Sequence, residues 1–148
     1  MAERNMDMKK CPMPVQDPDV RNKNFDEVAL GYTYDMAVNE ARRCLNCPKK
    51  PCQSACPVQI DIPAFIERVA NEDMDGAFEI LSKSTSLPAV CGRVCPQENQ
   101  CEGKCVRGIK GEAVGIGRLE RFVADYHREH CTDTPEMPEQ NGHKVAGG

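Results

Sequence analysis

Cys44-Leu-Asn-Cys47-Pro-Lys-Lys-Pro-Cys52-Gln-Ser-Ala-Cys56-Pro57 decides the reading of this chain, together with Cys91-Gly-Arg-Val-Cys95-Pro96-Gln-Glu-Asn-Gln-Cys101-Glu-Gly-Lys-Cys105. Eight of the ten cysteines fall in these two short blocks, and the 34 residues between Cys56 and Cys91 contain none. Two polythiolate sites, or one site shared by both blocks, is the natural reading. The rest of the chain then serves to fold around them.

Three chemistries use thiols at this density. Disulfides belong to oxidising compartments, and the N-terminal stretch Met-Ala-Glu-Arg-Asn-Met-Asp-Met-Lys-Lys has no apolar segment of the kind that exports a chain. Structural zinc sites favour paired Cys-x2-Cys knuckles. Only Cys44/Cys47 has that spacing, whereas Cys52/Cys56, Cys91/Cys95 and Cys101/Cys105 are all x3 pairs, and one closed zinc site cannot use eight sulfurs. Iron-sulfur fits better, because the bacterial two-cluster run is C-x2-C-x2-C-x3-C-P, with its last cysteine reaching across to the other cluster. Cys44 to Pro57 is that run with a wider middle gap. On this analogy Cys44, Cys47 and Cys52 wrap one cluster, Cys56 ligates a second, and Cys105 returns the exchange.

The whole-chain numbers set limits on everything else. A chain of 148 residues makes one domain plus tails, and with aromatics at 5%, no Trp and a mean hydropathy of -0.56 its apolar core must be thin. Small cores need staples, and metal clusters are staples that couple binding to folding, so the cluster-free protein is expected to be poorly ordered. A net charge of -4 and a pI near 5.4 exclude a nucleic-acid partner of the usual basic kind. No apolar stretch approaches the length of a bilayer span, so no membrane partner is expected, and thiols in an unexported chain imply the cytoplasm.

Along the chain, residues 1–30 carry Pro12, Pro14 and Pro18 without periodicity and read as an extended arm, with Cys11 a free thiol. A helix capped by Thr33 leads through Met36, Ala37, Glu40 and Ala41 to Cys44. Pro48-Lys-Lys-Pro51 cannot be helical, and its tight turns aim backbone N–H groups at sulfur. Asp61 caps a second helix with the stripe Ile62, Phe65, Ile66 and Val69, and a third runs near Met74 to Ser82, so the two blocks are bridged by an αα-hairpin. In the second block a turn ends at Pro96. Another turn then carries Cys101 and Cys105 at i, i+4, which predicts both sulfurs on one helical face. A glycine-rich connection follows.

The last helix runs from about Gly115 to His130 with the stripe Ile116, Leu119, Val123 and Tyr126. Glu120 falls inside that stripe, where a carboxylate needs either a cationic partner such as Arg93 or Arg118, or a metal. His127 and His130 read as solvated helix-end residues, and Cys131 as a spectator. Thr132 to Asn141 reads as a linker.

The combined pattern Cys44-x2-Cys47-x4-Cys52-x3-Cys56-Pro57, Cys91-Gly-Arg-Val-Cys95-Pro96, Cys101-Glu-Gly-x-Cys105 and Ile116-Gly-Arg-Leu-Glu120 closely resembles the N-terminal domain of the NADPH-dependent glutamate synthase small subunit family. The same domain recurs in dihydropyrimidine dehydrogenase and in the large subunit of the electron-bifurcating ferredoxin:NADP oxidoreductase. The resemblance implies an all-α fold, a small helical bundle around two 4Fe-4S clusters. It implies that Cys44, Cys47, Cys52 and Cys105 hold one cluster while Cys56, Cys95, Cys101 and Glu120 hold the other, with Cys91 left out. The dehydrogenase branch has Gln where this chain has Glu120, which favours the glutamate synthase-like branches.

The implied organisation is an arm over residues 1–30, the cluster domain over 31–131, and over 132–148 a linker and the start of an absent FAD-binding domain, with His143-Lys144-Val145-Ala146 as its first strand. FAD and NADPH sites would lie in that missing remainder, so this chain would not be catalytic alone. The implied role is to carry electrons between an NADPH-fed flavin and a glutamate synthase large subunit. The rivals are the bifurcating oxidoreductase, which shares every ligand, and a structural zinc module for protein contacts, which leaves Glu120 and Cys56-Pro57 without a role.

Overall fold

The computed structural model describes residues 3–131 and Gly142, so the linker and strand readings for Thr132 to Asn141 and His143 to Ala146 lie outside the described residues. Among those described, the fold is all-α: α1 (Pro18–Arg21), α2 (Tyr34–Ala41), α3 (Pro51–Ser54), α4 (Ile62–Ala70), α5 (Met74–Ser82), α6 (Pro88–Val94) and α7 (Ile116–His130), with short 3-10 turns between α6 and α7. Among the described residues the one β-type pairing is an isolated antiparallel bridge between Val15 and Ala29. Among the described residues no helix is long and apolar enough to cross a membrane.

Helices α2, α4 and α5 each start where the sequence offers a side-chain oxygen to the free N–H groups of a first turn. Thr33 accepts from Met36 N–H at 3.3 Å, and Asp61 caps α4 with Pro63 in the first turn, where no N–H is missed. Ile62, Phe65, Ile66 and Val69 of α4 are all buried, and α5 turns back against them with Met74, Ala77 and Leu81. Helix α7 is the spine. It packs against α6, α5, α2 and α4, burying Ile116, Leu119, Phe122 and Val123.

Asp73 caps α5, accepting from Gly76 N–H at 2.9 Å and from Arg68 at 2.7 Å, and these bonds hold its carboxyl below the usual range. A lowered folded-state pKa contributes stability above the unfolded value and loses it as pH falls. Asp73→Ala is therefore expected to cost about 1 kcal/mol at neutral pH. The difference between parent and variant, read from denaturant midpoints, should shrink as the pH falls through the acidic range in which carboxylates protonate.

The N-terminal arm is extended, as its prolines dictate, but it is tied down and contains the short helix α1, capped by Asp17. The tie has a physical cause in the buried pair Glu40 and Arg43, 2.6 Å apart and almost wholly enclosed. Such a pair needs its remaining lone pairs and protons satisfied. The arm supplies Cys11 N–H to Glu40 at 2.7 Å and the Asp7 carbonyl to Arg43 at 3.0 Å. Tyr32 and Arg118 then hold the Cys11 carbonyl at 2.6 and 2.7 Å.

Candidate metal centre

All ten cysteines are free thiols, and the eight block cysteines gather at two places. At the first, Cys44 lies just past the end of α2. Asn46 and Lys50 take left-handed conformations, with φ of 49° and 43°, which fold the intervening loop back on itself. Cys52 follows in the first turn of α3, and Cys105 arrives from the far block in extended conformation after a 3-10 turn. Cys44, Cys47, Cys52 and Cys105 line one small pocket, walled by apolar side chains including Ile62, Ile66, Val114 and Ile116.

Burial pushes the Cys44 thiol up to about 11 against the Asn46 N–H, which donates to its sulfur at 3.5 Å, and Cys52, Cys105 and Cys47 raise it further. Four thiolates in a dry cavity cannot stand without a cation. Among the described residues no three His, Cys, Asp or Glu side chains are close enough to share one metal ion. The four sulfurs line one pocket where the two cysteine blocks meet.

At the second place, Cys56 and Cys101 are buried and Cys95 stands at the C-terminal end of α6. Burial pushes the Cys101 thiol up to about 12, with Glu102, Cys56 and Glu120 adding to the shift. Cys95 is raised by burial and then by Cys91, Glu120 and Cys56. Glu120, only 7% exposed, is pushed up to about 7 by burial, and its Oε1 is buried without a hydrogen-bond partner. Neither expected cation reaches it. Arg93 pairs with Glu27 and Asp125, and Arg118 binds the Cys11 carbonyl and Tyr32. A carboxylate oxygen left bare among three thiols costs several kcal/mol unless a metal takes it. The donor set of three sulfurs and one oxygen fits an iron-sulfur group with one oxygen ligand.

The structure corrects two local expectations. Cys101 and Cys105 do not share a helical face, because a 3-10 turn over Glu102–Lys104 separates them and Cys105 is extended. One block thereby reaches both places, Cys101 toward Cys56 and Glu120, Cys105 toward Cys44 and Cys52. His127 is packed rather than solvated, its ring stacked on Phe78 with centroids 3.6 Å apart, while the exposed His130 stacks on Tyr126 at 4.0 Å. The buried Arg107, which lines the first cavity and donates to the Asp7 carbonyl, was not singled out in the sequence. Nor was Glu40, although it sits on the buried face of α2 as Glu120 does on α7, and the same argument applied to it would have found it.

An all-helical bundle that gathers eight thiols and a bare buried carboxylate at two places is a metal-cluster protein, and residues 21–132 match the family described as dihydropyrimidine dehydrogenase domain II, 4Fe-4S cluster. The chain belongs to this family and is a 4Fe-4S electron-transfer domain. It is 40% identical over 105 residues, 71% of its length, to the NAD-dependent dihydropyrimidine dehydrogenase subunit PreT of Escherichia coli K12. It is 37% identical over 131 residues, 84% of its length, to the glutamate synthase (NADPH) small chain of Halomonas elongata. To the corresponding small chain of Escherichia coli K12 it is 35% identical over 144 residues, 95% of its length. The chain spans only 26%, 28% and 30% of these relatives, respectively.

Proposed function

We propose that the domain carries two 4Fe-4S clusters, one held by Cys44, Cys47, Cys52 and Cys105, the other by Cys56, Cys95, Cys101 and Glu120. It relays electrons between an NADPH-fed flavin and the large subunit of a glutamate synthase, which forms glutamate from glutamine and 2-oxoglutarate. The single observation that carries the ligand set is the bare Oε1 of Glu120 beside Cys95 and Cys101. The domain organisation follows the same reading, with the cluster domain over residues 31–131 and the flavin and nicotinamide sites in a further part of the protein. The glutamate synthase assignment is supported by the 95% coverage of this chain in one small-chain match and by Glu120 itself.

When bound, the clusters supply one-electron transfer at iron and sulfide. What the chain contributes is binding, exclusion of water and control of charge. Ile62, Ile66, Val114 and Ile116 keep the first cavity apolar, and the Asn46 N–H directed at Cys44 Sγ favours added negative charge there. Glu120 introduces an oxygen ligand, so the second cluster differs in potential from the first. No residue of this domain needs to perform acid-base or nucleophilic chemistry.

The 40% identity to a dihydropyrimidine dehydrogenase subunit favours a second reading, in which the same relay serves an NAD-dependent dihydropyrimidine dehydrogenase. The ligand set is common to both readings and is tested directly. Glu120→Ala and Cys101→Ala are each expected to remove about four of about eight irons and the spectrum of one cluster. Cys44→Ala should remove the other, and Cys91→Ala neither. Full iron in Glu120→Ala with loss in Cys91→Ala would overturn the assignment.

A further inference from the structure

Arg107 stands two residues after Cys105, on the 3-10 turn Val106–Ile109, and lines the pocket formed by Cys44, Cys47, Cys52 and Cys105. It is 8% exposed, so water screens little of its charge, and a guanidinium keeps that charge inside a protein. The other two buried arginines have carboxylates: Arg43 has Glu40, and Arg121 has Glu27 and Asp125. Among the described residues Arg107 takes part in no ion pair. Its guanidinium donates to the Asp7 carbonyl, the same oxygen that accepts from Arg43 Nε at 3.0 Å. Two buried cations thus meet at one oxygen, with Glu40 alone between them, and one positive charge is left over. Like charges held this close repel, and a buried cation without a counter-charge is costly. The place on the page that calls for positive charge is the pocket itself, since Arg107 lines it and Cys44 follows Arg43 directly.

We propose that Arg107 is the counter-charge of the centre held by Cys44, Cys47, Cys52 and Cys105, and that it raises the midpoint potential of that centre by favouring its reduced form. The inference rests on the ligand set proposed above, in which these four thiolates hold one cluster. Reduction adds one electron, and so one negative charge, with no bond of this chain made or broken. A fixed cation in the pocket wall stabilises the more negative state more, and it acts strongly where screening is poor. Arg43 contributes less, because Glu40 cancels its charge. The position of Arg107 is set beforehand, by the Asp7 carbonyl at its guanidinium and by the Gly111 N–H donating to its own carbonyl at 3.1 Å.

The test is a redox titration of the anaerobically purified, cluster-loaded protein, followed by electron paramagnetic resonance, beside its iron and sulfide content. Cys44→Ala identifies the signal of this centre as the one it removes. Arg107→Met, apolar and similar in reach, is expected to keep the metal content and to move that midpoint to a more negative value while the other stays. Arg107→Lys, which keeps the charge, should restore most of the shift. Loss of about four irons in Arg107→Met, with all retained in Arg107→Lys, would equally support a required counter-charge. An unchanged midpoint in Arg107→Met with iron intact would overturn the proposal and leave Arg107 a tie for the arm. Equal shifts, or equal losses of iron, in both variants would make shape rather than charge the cause and overturn it as well, as would a shift confined to the signal that survives Cys44→Ala. Full iron in Cys44→Ala would instead overturn the ligand set on which the inference rests.

Discussion

Glu40→Ala is expected to destabilise the domain by about 3–5 kcal/mol, the usual cost of breaking a buried ion pair from one side. Glu40 is fully enclosed and its two oxygens take three donors: Arg43 at 2.6 Å, the Cys11 N–H at 2.7 Å and the Gly115 N–H at 2.8 Å. Removing it leaves a guanidinium buried with only backbone carbonyls around it, and unties the arm and the start of α7 at once. Because Cys44 follows Arg43 directly and Glu120 lies in the second turn of α7, both centres should loosen. The measurement is the denaturant midpoint of loaded protein, with Glu67→Ala, an exposed carboxylate of α4, as a control expected to change stability by no more than about 0.5 kcal/mol.

Gly92→Ala is expected to remove one cluster while leaving the other. A Cβ at position 92 would lie 2.5 Å from the Arg121 nitrogen and 2.8 Å from its Cα, and these are backbone atoms of α7 that cannot swing aside. The added methyl must drive α6 from α7, at a cost of about 1–3 kcal/mol. Cys95 caps the end of α6 and α7 carries Glu120, so the displacement separates two residues proposed to ligate the same cluster. Iron analysis and the visible spectrum should show a loss of about four of about eight irons. Gly108→Ala, whose added carbon would meet Ala113 at an ordinary 3.7 Å, should retain all of them.

The parts of this fold that were legible in the sequence were those written in local chemistry. Thr33 and Asp61 announce α2 and α4 because a capping oxygen followed by an apolar stripe has few other uses. The 3.6-residue period of α7 exposed Glu120 as a carboxylate on a buried face, and the structure shows it bare. The rest depends on partners far apart in the chain. The arm looks featureless because its bonds run through backbone carbonyls, such as those of Asp7 and Cys11, to Arg43 and Arg118, and no periodicity records such contacts. Cys101 and Cys105 have helical spacing, yet the chain between them winds as a 3-10 turn and sends the two sulfurs to different places. Spacing alone does not distinguish these cases, since i, i+4 fixes a shared face only when the intervening turn is α-helical.

The most direct test of the account is the iron, acid-labile sulfide and zinc content of the anaerobically purified protein, read beside its visible absorption. About eight irons and about eight sulfides per chain in a brown sample are predicted, the content of two 4Fe-4S clusters. A colourless protein holding zinc without sulfide would contradict the electron-transfer reading and make the module structural.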